Sequence, residues 1–213
     1  MKINKRMILL SLFITSGISL TSTVSAELFS RAGGTMIYDS DRDITWLADA
    51  NYSKTTYDNT CGKSGSIDGK MYWHAAKIFV DNMDFAGYND WRLPSLTESD
   101  PSCDNQSAAG SFGYNCSGSE MGHMFYQVLG GEARASIADV HNSNYSHFKN
   151  IQSAIYWVDK EVAALPFIAW NFQTRDGFQN DNSKSIRLAV WPLRDGDVAD
   201  KQIEQVVPAT CTP

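Results

Sequence analysis

The sequence has no CxxC pair, no H-E-x-x-H motif and no cysteine at zinc-finger distance from any of its four histidines. That removes the closed zinc sites built from paired thiolates and imidazoles. It has no G-x-S-x-G elbow, no P-loop and no dinucleotide-binding glycine pattern, so nucleophilic and nucleotide chemistry leave no signature. Positive charge is scarce. Eighteen Lys and Arg face 24 Asp and Glu, a net charge of −6. An acidic surface argues against nucleic acid and against bare polyanions. No repeat at solenoid or propeller period is present, and no run past residue 26 is long and apolar enough to span a bilayer.

What is present begins with an export signal. Lys2, Lys5 and Arg6 precede an apolar stretch from Ile8 to Leu20, and TSTVSA follows with Val24 and Ala26 at the positions a signal peptidase reads. Residues 1–26 are therefore expected to be removed, which places the protein in the periplasm or outside the cell. The loss takes the net charge from −6 to −9, because the segment holds three positive and no negative side chains. Residues 27–198 are expected to form one domain and 199–213 a tail without a membrane anchor. Cys61, Cys103, Cys116 and Cys211 all lie in the exported part, where an even count favours disulfides. Cys103 and Cys116 flank one polar loop and are the expected local pair, which leaves Cys61 with Cys211. The connectivity is not fixed by sequence.

Residues 35–48, TMIYDSDRDITWLA, read as a hairpin with a polar turn. D-x-D-x-D at Asp39, Asp41 and Asp43 resembles the start of a calcium loop. Ile44 and Ala50 occupy the places of the required glycine and glutamate, so a plain turn is expected. Residues 51–70 read as loop. Tyr72, Ala76, Phe79, Val80 and Met83 recur at helical spacing, with Gly87 placed to end that helix. Then comes GYNDWRLPSLTE. Trp91 and Leu93 alternate with Arg92 as in a short half-buried strand, and Pro94 stops ladder pairing. Arg92 is expected to clamp a carboxylate or carbonyls and so pin the loop from Ser95 to Gly118. Ser117 and Glu120 read as a capping box for a second helix carrying Met121, Met124, Phe125, Val128 and Leu129. His123 sits beside that stripe as a hydrogen-bonded core residue. AIYWV (154–158), PFIAWNF (166–172) and SIRLAVW (185–191) read as strands, with 173–184 a polar turn. Two helices on a mainly antiparallel sheet make the class α+β.

The succession YDSDRDITWLADAN, YWHAAKIF, GYNDWRLPS, CDN…YNCSGSEMGHMFYQVLG, IYWV, AWNFQTRDGFQN and RLAVWPLRDGDV resembles the Lcl C-terminal domain family of secreted bacterial proteins. WRLP and the closing R-D-G-D are its most specific parts. WRLP with its following glutamate also resembles a segment of formylglycine-generating-type domains. That likeness implies a C-type-lectin-like fold with a long disulfide-tethered loop. The family resemblance implies an adhesin-like exported domain. In the collagen-like adhesin itself the domain binds sulfated polysaccharide and forms a trimer. This chain has no collagen-like repeat, and its charge opposes a sulfated polyanion. The resulting expectation is a secreted, non-catalytic recognition domain for glycan or extracellular matrix, the alternatives being a protein-partner or structural domain and a secreted hydrolase. Trp170, Asn171, Gln173, Arg175 and Asp176 are the expected ligand residues, since tryptophan stacks on sugar rings and the polar side chains reach hydroxyls. No catalytic residue, cofactor or metal set is assigned. Asp176, Asn180, Asp181 and Asn182 offer oxygen ligands for calcium in the same turn.

Overall fold

Apolar residues that alternate along a strand are shared between two faces, and in this chain both faces are buried. The structure, a computed structural model, describes residues 27–163 and 165–198. The expected signal segment and the tail with Cys211 lie outside them. In chain order the elements are β1 (Leu28–Arg31), β2 (Met36–Asp39), β3 (Ile44–Leu47), α1 (Tyr52–Asn59), β4 (Lys70–Met71), α2 (Trp73–Asp81), β5 (Asn105–Ser107), β6 (Gly110–Phe112) and α3 (Glu120–His123), which runs into a π-helical turn, Met124–Val128. Then come β7 (Ile155–Val162), β8 (Leu165–Gln173), β9 (Phe178–Ser183), β10 (Leu188–Ala189) and β11 (Leu193–Asp195). The class is α+β. One sheet has the order β1-β2-β3-β11 and the other β4-β10-β7-β8-β9. All pairings are antiparallel except β10 with β7.

Strand alternation divides the core in two. Ile37, Trp46, Tyr156, Val158, Trp170 and Phe172 pack with Met121 of α3 and with Met124 and Phe125 of the π-helical turn. Their strand neighbours Met36, Leu47, Trp157 and Ala169 pack with Trp73, Ala76 and Val80 of α2. The strands thus lie between helices on opposite faces. All six tryptophans are buried, between 0% and 4% exposed.

The opening of WRLP is the joint between the sheets. Arg92 exchanges backbone hydrogen bonds with Leu193 of β11 (2.8 and 3.1 Å), and the Pro94 carbonyl accepts from Asp159 of β7 (2.7 Å). The expected strand is a single bridge, because Pro94 has no N–H to continue a ladder. Trp91, Leu93 and Pro94 are buried.

Four expectations are corrected. Residues 52–59, read as loop, are helix α1. Its sequence YSKTTYDN has no apolar stripe, and only Ser53 is buried. Asp49 holds its start, accepting from the Asn51 N–H (3.0 Å) and the Thr55 hydroxyl (2.6 Å). Gly65, at φ +79°, lies so close that a Cβ would stand 2.1 Å from the Ser53 carbonyl. The polar segment 178–183 is strand β9, an edge strand paired with β8 and bridged on its outer side by Gly113 at Gln179. Gly87 does not end α2, which stops at Asp81. With Ala86 it supplies the two positive φ values (75° and 60°) of a tight turn closed by mutual bonds between Phe85 and Tyr88. The capping box does not form. Ser119 is the N-cap and makes no side-chain cap bond, while the Glu120 carboxylate turns to Arg92 and the Ser95 N–H.

The long loop is tethered as expected. Cys103 and Cys116 are bonded, with Cα atoms 4.1 Å apart and a sequence separation of 13. Cys61 is also disulfide-bonded. Replacing Cys103 and Cys116 together by serine is expected to lower the unfolding free energy by about 2–3 kcal/mol, from the closure entropy of a loop this size. Urea unfolding of the oxidised protein and the double variant measures it.

Candidate functional site

The expected ligand turn is mostly interior. β8 is a central strand covered on both faces, so Trp170 (2% exposed), Asn171 (0%) and Gln173 (5%) cannot reach a ligand. This corrects the expected carbohydrate platform. A strand that alternates bulky and polar residues looks half-exposed only when one face is free. Arg175 is exposed and bonds Gln173 (3.0 Å), and Asp176 caps the turn by accepting from the Phe178 N–H (3.1 Å). Asn180, Asp181 and Asn182 succeed one another along β9, so their side chains alternate between faces rather than converge on one ion. Burial pushes the Asp181 carboxyl upward.

The aromatic surface lies elsewhere. Phe167 (61% exposed), Tyr72 (52%), Leu165 (40%) and Ile186 (39%) are large apolar side chains left open. Lys184 gathers their segments. Its N–H donates to the Phe167 carbonyl (2.9 Å), its carbonyl accepts from Trp73 beside Tyr72 (3.4 Å), and Ile186 closes a turn onto Ser183 (3.1 Å). The Lys184 ammonium donates to Glu161 (2.5 Å) and to the Pro166 carbonyl, 4.5 Å from the centre of the Trp73 ring. That cation–π contact and two hydrogen bonds fix the floor of the face.

The charges around it are matched in pairs. Lys77 meets Asp159 (2.5 Å), Lys184 meets Glu161 (2.5 Å) and Arg187 meets Asp68 (2.6 Å). The hydrogen bond from Lys184 holds the Glu161 carboxyl below the usual range. Two exposed rings thus stand on segments joined through Lys184, with three ion pairs nearby. An exposed ring on fixed backbone offers a flat apolar surface on which another apolar group can stack. Tyr72 fell on the apolar helical stripe, and Phe167 lay within the strand PFIAWNF, so neither stood out as a surface residue. Pro166 beside Phe167 was the one local hint of a margin.

Among the described residues no helix is long and apolar enough to cross a membrane. No curated protein and no solved structure gives a match. A family model described as the Lcl C-terminal domain matches residues 35–194. That span takes in the first hairpin, the WRLP joint, the tethered loop, both cores and the aromatic face, and the chain belongs to the Lcl C-terminal domain family.

Proposed function

We propose that the protein is an exported, non-catalytic recognition domain that binds neutral glycan of a cell surface or extracellular matrix through the face around Tyr72 and Phe167. The observation that carries the reading is two aromatic rings more than half exposed on backbone held by Lys184, with the neighbouring charges cancelled in pairs. Exposed rings held on fixed backbone can stack on the C–H face of a sugar with little reordering. The net charge, −6 for the full chain and −9 without residues 1–26, favours an uncharged polysaccharide over a sulfated one. The finer fold reading is C-type-lectin-like. It is supported by the first and last strands sharing one sheet, the helices on opposite flanks, and a long disulfide-tethered loop.

The test is retention on immobilised neutral and sulfated polysaccharides, repeated with a broad glycan array. Phe167→Ala and Tyr72→Ala are each expected to weaken binding about tenfold. Because both positions are exposed, the melting temperature should move by no more than about 2 °C. Unchanged retention in both variants, or preference for sulfated chains, overturns the assignment.

A further inference from the structure

Two acidic residues at the first turn, Asp39 and Asp41, meet a histidine 84 and 82 positions away. Asp39 closes β2 and is fully buried, and His123 closes α3 at 2% exposure. The Asp39 carboxylate oxygen Oδ2 lies 3.0 Å from His123 Nε2. Its other oxygen accepts the Asp41 N–H at 3.1 Å, which bends the turn back toward the pair. One ligand atom from each of Asp39, Asp41 and His123 lies within 4.8 Å of the other two. Asp41 is exposed and opens the group to solvent.

The second nitrogen of His123 decides what this group can hold. Nδ1 lies 2.7 Å from Gln127 Oε1, one helical turn on. With the amide oxygen facing it, Nδ1 is the donor, which is one of the two tautomers open to the ring. In the neutral ring Nε2 is then a bare lone pair aimed at a carboxylate oxygen. Two acceptors at 3.0 Å repel unless a proton or a metal ion lies between them. Among the described residues no lysine or arginine pairs with Asp39 or Asp41. The adjacent Arg42 spends its guanidinium on the Ser117 and Gly118 carbonyls, each at 3.0 Å. A buried carboxylate without a cation is costly.

We propose that Asp39, Asp41 and His123 form a divalent metal site, with zinc as the ion of best fit. Imidazole with carboxylates suits zinc, whereas calcium seeks six to eight oxygens. Tetrahedral zinc at about 2.0–2.1 Å sets neighbouring ligand atoms roughly 3.3 Å apart, close to the Asp39–His123 separation. Asp41, free to rotate, closes the third position, and water takes the fourth. Gln127 is the outer partner that fixes the tautomer and turns Nε2 to the metal. The ion would staple the first hairpin to α3. This site does not depend on the glycan-binding reading.

The experiment uses the tag-free exported protein, stripped with chelator and titrated with zinc sulfate by calorimetry, with melting curves in parallel. One equivalent should bind saturably and raise the melting temperature. Asp41→Asn, at an exposed position with no folding role, should weaken the affinity by at least about tenfold. His123→Gln should abolish it. Should His123→Gln fail to fold, Asp41→Asn alone decides. Absence of saturable binding, or an Asp41→Asn affinity equal to that of the parent, overturns the proposal and leaves His123 and Asp39 as a hydrogen-bonded pair.

Discussion

Replacing Trp191 with alanine is expected to lower the unfolding free energy by about 3–5 kcal/mol, the range for emptying a large buried aromatic site. Trp191 is 0% exposed and lies between β10 of one sheet and β11 of the other. Its ring meets Trp46 at 5.1 Å, Phe148 at 5.4 Å and Tyr156 at 5.9 Å, the first two edge-on. Its indole N–H donates to the Leu47 carbonyl at 2.9 Å. Strands β3 and β7 and the segment at Phe148 therefore converge on one side chain, and neither strand can close the space without shifting its own ladder. Trp191→Phe separates the contributions. It keeps most of the volume and loses the hydrogen bond, so a cost of about 1–2 kcal/mol is expected. Urea unfolding of the three proteins measures both steps. An alanine variant within 1 kcal/mol of the parent would show that the sheets relax into the space.

The parts of this fold that were legible in sequence are those whose side chains are sorted by burial. The hairpin of β2 and β3, helix α2 and strands β7 and β8 each carry apolar residues at the period of their element. Where burial does not sort the residues, the period is silent. Helix α1 rests on Asp49 and Gly65 rather than on an apolar stripe, and β9 is a polar edge held by backbone pairing to β8. The candidate site was hidden for the converse reason. Tyr72 and Phe167 obey the periods of their elements yet face out, and only the tertiary arrangement around Lys184 tells them from core. The metal-binding group is less legible still. Asp39 and Asp41 read as turn residues and His123 as core, and no local spacing connects them across 84 positions.

Replacing Arg92 with methionine is the second large effect expected, about 3 kcal/mol. A guanidinium has five N–H bonds, and Arg92 uses all five. Nη1 and Nη2 grip the two oxygens of Glu120 at 2.9 and 2.8 Å, Nε and Nη2 reach Asp195 at 3.1 and 2.5 Å, and Nη1 also donates to the Leu93 carbonyl at 3.1 Å. Glu120 is the partner that decides the energy. Its side chain is 11% exposed, and without Arg92 it keeps only the Ser95 N–H. Stranding a buried carboxylate costs about 3–5 kcal/mol, and the 26% exposure of the Arg92 side chain places this pair at the lower end. Arg92→Lys should recover little, because an ammonium cannot fork across two carboxylates. Pairing Arg92→Met with Glu120→Gln removes the stranded charge, so the double variant should be more stable than the sum of the single losses by at least about 1 kcal/mol. Additive losses in that cycle would mean the clamp is replaceable by water. Since no donor on Arg92 remains for a ligand, glycan retention per folded molecule should be unchanged in all of these variants. That separates a residue that pins the loop from one that binds on the Tyr72–Phe167 face.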